Sequence, residues 1–517
     1  GELKEKMFGT GKIVSSDQTV DKRDLAKRTL QAASALDSLG IGEGDSIAAF
    51  MRNDFPLFEA QSAAALLGAY FVTINWHFRS VEAEYILTDS ETKALVVHAD
   101  LLGEIRDLIP PGVAVFVVPT PADIAAAYGL DAAACVVPED EQNWGGWIEG
   151  FAEWSATPCT QRGVVFYTSG TTGLPKGVFT HPTTADQQAA GAKVGDAAYR
   201  PRSGMRVLLN GPCYHVAVNH SARIALANDA DLYLQHRFGA EEFLQLVETH
   251  KITHAHMVPT MFVRLLKLPT EIRQRYDVSS MEWITHGAAP CSPDIKKAMI
   301  EWLGPILVEY YGGTEVGISH FCTSEDWLAK PGTVGKLTPN SKIGIFDDDG
   351  KMLGPGEIGE IYVKTDMVPD FDYKSLPEKR LEVERDGLVS IGDIGYQDED
   401  GYLFLCDRRN DMVISGGVNI YPAEIEAALV TMDGVRDCAV FGIPDAEFGE
   451  SLMTMIELEE NAELSETAIR EYLIERLAKY KVPKSIEFHG DLPREDSGKI
   501  MKRRLRDPYW QDVNRQI

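Results

Sequence analysis

Apolar positions along this chain follow two periods that take turns. They recur every three to four residues over 24–38, which predicts an amphipathic helix. Gly40-Ile41-Gly42-Glu43-Gly44-Asp45 breaks it. Short apolar runs then predict strands at 46–51, 70–74 and 94–98, with a helix over 55–67 between the first two. The pattern continues with a strand at 207–210, helix 240–249, strand 253–257, helix 259–267 and strand 282–285. Such alternation predicts an α/β fold with mainly parallel sheets.

From about residue 330 the texture changes. Short strands at 342–346, 359–363 and 402–405 are separated by turn signals such as Asp347-Asp348-Asp349-Gly350 and Asp398-Glu399-Asp400-Gly401. This predicts a β-rich part over about 330–407. A charged cluster, 407–411, then separates two apolar runs and marks a boundary. The chain divides there into 1–407, a large domain, and 408–517, a small α+β domain. The small domain should hold a helix after Pro422, strands at 438–442 and 453–458, and a helix over 465–479.

Composition narrows the classes of function. The 517 residues are 44% hydrophobic and 25% charged, an ordinary balance for a folded, water-soluble chain. No apolar run reaches about 18 residues, so no membrane span is expected. Residues 1–6 carry no signal-peptide pattern. A net charge of −28 excludes general nucleic-acid binding through a basic surface. The seven cysteines are scattered, with no C-x-x-C pair, which argues for a reducing cytoplasm rather than zinc or disulfides.

The chemistry is carried first by residues 167–178, Tyr-Thr-Ser-Gly-Thr-Thr-Gly-Leu-Pro-Lys-Gly-Val. They follow an apolar run, Gly163-Val164-Val165-Phe166, that reads as a buried strand. Glycines let backbone N–H groups converge on an anion, and hydroxyls add donors. Thr168, Ser169, Gly170, Thr171, Thr172 and Lys176 therefore read as a triphosphate cradle. A P-loop would need its lysine to open a helix and be followed by Ser or Thr. Here Pro175 precedes Lys176 and Gly177 follows it, which disfavours that start. A flexible linker is the bland alternative, but the residue classes are too ordered for one.

This segment resembles the phosphate-binding signature of the acyl-CoA synthetase, adenylation-domain and luciferase superfamily of adenylate-forming enzymes, most like the bacterial acyl-CoA synthetases. Further segments fit the resemblance. Tyr310-Tyr311-Gly312-Gly313-Thr314-Glu315 is similar to Y-G-x-T-E. That implies Tyr311 on the adenine, Thr314 near the phosphates, and Glu315 with Thr172 near Mg2+. His286-Gly287-Ala288-Ala289-Pro290 matches the adenine pocket. Ser390-Ile391-Gly392-Asp393 resembles T-G-D, whose aspartate binds the ribose hydroxyls; a carboxylate can accept both protons. Arg408 would contact ribose or phosphate. Asn410 falls at the hinge, where the family usually has Asp or Lys, and Asn tolerates left-handed backbone. Ser415, Gly416 and Gly417 would line the passage for coenzyme A. Lys499, in Pro493-Arg494-Glu495-Asp496-Ser497-Gly498-Lys499, would bridge the substrate carboxylate and the α-phosphate. Lys502, Arg503, Arg504 and Arg506 read as solvated charge.

The resemblance implies catalytic roles for Lys499, Thr172, Glu315 and His215. Gly211-Pro212-Cys213-Tyr214-His215 resembles P-x-x-H, and a steric role for His215 is preferred, because a carboxylate nucleophile needs no base. The acid pocket would comprise His215, Val216, Ala217, Gly287, Gly312 and Gly313. Amino-acid-activating relatives carry an aspartate where Val216-Ala217-Val218 stands, so an amino acid is not expected. Small residues at Ala217, Ala222, Gly287, Ala288, Gly312 and Gly313 suggest room for a bulky apolar, aromatic or polycyclic acid. Asn75-Trp76-His77-Phe78 matches a segment of acyl-CoA synthetases and reads as core or subunit contact, compatible with a homodimer. Three classes stay open: a ligase making a coenzyme A ester, an adenylating enzyme serving a carrier protein or amine (or a luciferase-like oxygenase), and a non-catalytic nucleotide module. Lys499 together with Glu315 argues against the last.

Overall fold

The computed structural model describes residues 2–16, 18–78, 81–168, 175–494 and 498–511. Among them the strands form four sheets. The first runs Lys336–Leu337, Gly317–Cys322, Leu307–Gly313, Trp283–His286, His254–Met257, Met205–Leu209, Ala230–Leu234, Lys12–Ser15, Gln18–Asp21. It is parallel from Leu307–Gly313 to Lys12–Ser15 and antiparallel at both edges. The second has Ser46–Phe50 at its centre, between Tyr70–Thr73 and Thr92–His98. Val164–Thr168, Lys176–Thr180 and Phe371–Tyr373 extend it on one side.

Local sequence explains these elements. Helix Phe55–Leu67 starts where the Asp54 carboxylate accepts the Phe55 N–H and ends at Gly68, whose φ of 68° suits the left-handed stop. The central strands are buried on both faces, as parallel strands covered by helices must be. The amphipathic helix is Lys22–Ser38, beginning two residues before the expected start, because Asp21 caps it.

A third sheet, Lys342–Phe346, Gly359–Lys364, Leu388–Gln397 and Glu384–Arg385 with Leu403–Arg408 alongside, is the expected β-rich part. Its last strand runs past the expected end at residue 405, through Asp407 to Arg408, because the long partner Leu388–Gln397 offers ladder positions that far. The chain then turns at 409–411.

The fourth sheet belongs to a small C-terminal domain. It contains Val413–Ser415, Val418–Ile420, Val435–Asp445, Gly449–Leu458 and Ser485–His489, with helices Pro422–Leu429 and Glu466–Ile474 on its core. The last of these helices is shorter than the expected 465–479. Leu473 is its final buried residue and Ile474 is exposed, so the apolar stripe ends there. Trp76 is core, as expected: it is buried, with the Arg52 guanidinium 4.4 Å from its ring centre.

Candidate active site

The parallel strands of the first sheet end at one edge, and the C-terminal end of Leu307–Gly313 is its focus. Tyr311 is buried there, and its hydroxyl donates to Asp393 at 2.8 Å. Asp393 and Arg408 face each other across the third-sheet ladder, with Arg408 Nε 3.3 Å from the other carboxylate oxygen. Burial pushes the Asp393 carboxyl up, while Arg408, Tyr311 and Lys499 pull it back. The positive charge of Lys499 thus reaches Asp393 across the domains. Four residues named from separate motifs meet in one place.

A second cluster lies around Glu315. Tyr373 donates its hydroxyl to Glu315 at 2.9 Å, and the Lys176 ammonium sits 5.2 Å from the Tyr373 ring centre. Burial and the Glu315 charge push the Tyr373 hydroxyl up, so it stays a neutral donor at physiological pH. Strand Phe371–Tyr373 pairs with Lys176–Thr180, which brings Tyr373 beside the base of the glycine loop. The loop's neck is closed by the pairs Tyr167–Gly177 and Thr168–Lys176. A Cβ at Gly177 would strike the Tyr167 ring, so only glycine fits. Ser169, Gly170, Thr171 and Thr172 lie outside the described residues. A lone carboxylate beside a phosphate loop is the donor set Mg2+ accepts when nucleotide oxygens and water fill the remaining positions. Glu315 fits that use.

On the acid side, Gly287, Gly312 and Gly313 are closely packed against protein groups. A Cβ at Gly287 would lie 2.6 Å from the Tyr310 ring, and one at Gly313 2.8 Å from Ile391. At Gly312 it would overlap the Gly317 carbonyl. Glycine at these three positions is required by those neighbours. Ala222 is likewise buried in the core. Ala288 adopts φ 66°, and Ala289 and Pro290 follow it into helix Pro293–Leu303. Thr314 sits in the turn between the paired strands Leu307–Gly313 and Gly317–Cys322.

His215 precedes helix Val216–Ala227, with its ring 4.6 Å from that of Tyr214. Its charge bears on His256, which is held down to about 4 chiefly by burial and shares a 3.0 Å hydrogen bond with the Tyr310 hydroxyl. Tyr199 donates to the Ala217 carbonyl at 3.3 Å. A small cavity between Tyr199, Ser221, His254, Trp283 and Thr285 encloses about 10 Å³. That is the space of roughly one water.

In the small domain, Arg494 bridges Asp437 and Glu457 and donates to the Gly498 carbonyl at 3.2 Å, fixing the base of the lysine loop. Gly416 and Gly417 form a hairpin turn, with φ 58° and 81°. Gly416 N–H donates to the Phe448 carbonyl, and Ser415 pairs with Gly449. These contacts tie residues 415–417 to their own domain, not to the Asp393 cluster.

In the basic tail Arg503 and Arg504 are exposed as expected, but Lys502 and Arg506 are engaged. Lys502 pairs with Glu426, whose carboxyl burial pushes up to about 7. Arg506 donates to the Asn410 carbonyl at 3.2 Å and lies 3.3 Å from Asp411. The tail helix Lys502–Trp510 is therefore tied to the turn at Asn410 and Asp411. Sequence reasoning also missed Tyr373, His256 and the buried pair Lys296–Glu309 at 2.5 Å beneath His286. None carries a motif; a polar residue inside an apolar strand, such as Glu309, is the only signal available.

An aspartate, a tyrosine, an arginine and a lysine from the small domain thus meet in one place, as in an adenylate-forming enzyme. The family model for AMP-binding enzymes matches residues 6–369, and that for the AMP-binding enzyme C-terminal domain matches 424–499. The chain belongs to this family. It is 33% identical over 93% of its length to a long-chain-fatty-acid–CoA ligase of Mycobacterium tuberculosis, covering 91% of that protein. A Rhodococcus jostii CoA ligase for 3-[(3aS,4S,7aS)-7a-methyl-1,5-dioxo-octahydro-1H-inden-4-yl]propanoate is 31% identical, with 96% and 95% of the two chains covered. Among solved structures, ATP-bound MatB of Rhodopseudomonas palustris superposes with a TM-score of 0.82 at 27% identity, covering 99% of each chain. Apo MatB gives 0.71, over 98% and 97%. The protein is an AMP-forming acyl-CoA synthetase, an acid–thiol ligase with ATP and coenzyme A as substrates. Among the described residues no helix is long and apolar enough to cross a membrane.

Proposed function

We propose that this ligase activates a bulky apolar acid with fused rings, and that Lys499 serves only the first of its two half-reactions. The convergence of Tyr311, Asp393, Arg408 and Lys499 carries the reading. Asp393 accepts the ribose hydroxyls, with Tyr311 fixing its orientation. Lys176 and the glycine-rich loop hold the phosphates, and Glu315 holds the Mg2+ that screens their charge. Lys499 brings the acid's carboxylate to the α-phosphate. The carboxylate oxygen attacks phosphorus, the bond to pyrophosphate breaks, and an acyl-adenylate remains. The barrier is mainly charge repulsion and alignment, which fixed donors and a cation lower. The thiol sulfur of coenzyme A then attacks the carbonyl, and AMP leaves.

Lys499 has no task in that second step. The small domain therefore turns about Asn410, withdrawing Lys499 and presenting Ser415, Gly416 and Gly417 to the thiol arm. The better superposition on ATP-bound than on apo MatB supports assigning the present pose to adenylation. Lys499→Ala should abolish acyl-adenylate formation yet leave thiolation of supplied acyl-adenylate largely intact. Equal loss of both half-reactions would refute the scheme.

The apolar wall at Val216 and Ala217 and the Rhodococcus jostii relative, named for a fused bicyclic acid, support the substrate class. A pyrophosphate-release screen over fatty, aryl and polycyclic acids tests the class. Turnover confined to straight-chain acids would sink it. AMP release that depends on free coenzyme A separates this reading from transfer to a carrier protein or an amine.

A further inference from the structure

Lys267 stands at the C-terminal end of helix Pro259–Leu266 in the large domain. Its ammonium donates to the Val435 carbonyl and, at 3.4 Å, to the Arg436 carbonyl; it lies 3.2 Å from a carboxylate oxygen of Glu459. All three acceptors belong to the small domain. Val435 and Arg436 open strand Val435–Asp445, and Glu459 follows strand Gly449–Leu458. The ammonium donates to two carbonyls and has a carboxylate beside it, all in the module that must move.

The neighbouring contacts share this face. Arg264, one turn earlier, lies 3.1 Å from where a Cβ of Gly498 would stand, one residue before Lys499. Val430 packs into the large-domain apolar cluster, and Ser292 donates to the Ala427 carbonyl at 3.4 Å. These groups position the small domain while Lys499 faces Asp393.

We propose that Lys267 is a positioning residue that latches the small domain in its adenylation pose, and that breaking its contacts to Val435, Arg436 and Glu459 gates the passage to thiolation. This rests on the two-pose reading given above. The acceptors ride on one rigid body, so rotation removes them together, as a two-state switch requires. Glu459 is 41% exposed, so the ion pair alone contributes little in water. The two carbonyl bonds add the direction that an exposed charge pair lacks. When the small domain leaves, water solvates ammonium, carbonyls and carboxylate, and no buried polar group is stranded. The contact is thus strong enough to bias the pose and weak enough to release in every turnover.

Lys267→Met keeps the aliphatic stem and removes the donors. Single-turnover rates would be measured for acyl-adenylate formation and for coenzyme A attack on preformed acyl-adenylate. Spin labels on helices Pro293–Leu303 and Glu466–Ile474 would report interdomain distance with MgATP. We expect the adenylation-to-thiolation rate ratio to fall about tenfold, since water replaces part of the two lost charge-assisted hydrogen bonds. The distance distribution should shift away from the wild-type one, and Lys267→Arg should restore most of both. A variant with wild-type melting temperature, unchanged ratio and unchanged distances overturns the latch. Should Lys267→Met not fold, Glu459→Gln must move the ratio in the same direction by a smaller factor, and no movement refutes the proposal. If the wild-type enzyme forms acyl-adenylate but the lysine withdrawal is absent, the two-pose reading fails by itself, and the distances under MgATP still decide whether Lys267 holds the interface.

Discussion

Tyr373→Phe removes one hydroxyl and little else, and it tests the assignment of Glu315. The Tyr373 hydroxyl donates to Glu315 at 2.9 Å. Hydrogen bonds to charged groups contribute about 1.5–3 kcal/mol. Glu315 is only partly buried, so water replaces some of the lost bond, and the low end applies. About 1.5 kcal/mol corresponds to roughly a tenfold loss in rate. If Glu315 holds the cation on ATP, the loss falls on kcat/KM for MgATP in acyl-adenylate formation. It should grow as free Mg2+ is lowered. Thiolation of preformed acyl-adenylate uses neither the cation nor the triphosphate and should be unchanged. The assay is ATP–pyrophosphate exchange across a Mg2+ series, beside single-turnover thiolation. A loss shared by both half-reactions, or one independent of Mg2+, would refute the link from Tyr373 through Glu315 to the cation.

Gly287→Ala should lower the melting temperature and adenylation together, because its Cβ would sit 2.6 Å from the Tyr310 ring; wild-type behaviour would mean that ring is free to move. Arg506→Ala should change the balance of the two half-reactions, since Arg506 grips the Asn410 carbonyl, whereas Arg503→Ala should not. His256 and His320 are buried and held down to about 4 and about 3 by burial, so both stay neutral in the folded protein. The unfolded chain takes up those protons below its ordinary histidine pKa. Stability is therefore complete above about pH 6.5 and falls as the pH drops toward 4, by about 3 kcal/mol per pH unit for the pair. Urea unfolding at pH 7.5 and 5.5 checks this, and a midpoint that ignores the change would show that these rings are protonated when folded.

Parts of this molecule were legible in its residues, for reasons that differ from part to part. Helix Phe55–Leu67 could be read with both ends correct, because Asp54 and Gly68 are local stop signals. The extra residues of strand Leu403–Arg408 could not, since only pairing with Leu388–Gln397 makes a charged Asp407-Arg408 extended. The cluster of Tyr311, Asp393, Arg408 and Lys499 was legible only as separate motifs, each with one recognisable residue class. Tyr373 was not, because it acts from a three-residue strand 58 positions after Glu315. The close packing at the acid-side glycines was not legible for the same reason. Whether a missing side chain makes room for ligand or for Tyr310 and Ile391 depends on what folds against it.

Sequence alone determined the chemistry on offer: glycines, hydroxyls and a lysine over 168–177, the carboxylates of Asp393 and Glu315, and the ammonium of Lys499. Those are properties of short segments, whose side chains carry their donors and charges wherever the chain puts them. Tertiary structure decided which of them meet, what fills the gaps between them, and which contacts Lys267 makes across the two domains. Such meetings join residues far apart in the chain, and only packing determines the distances between them.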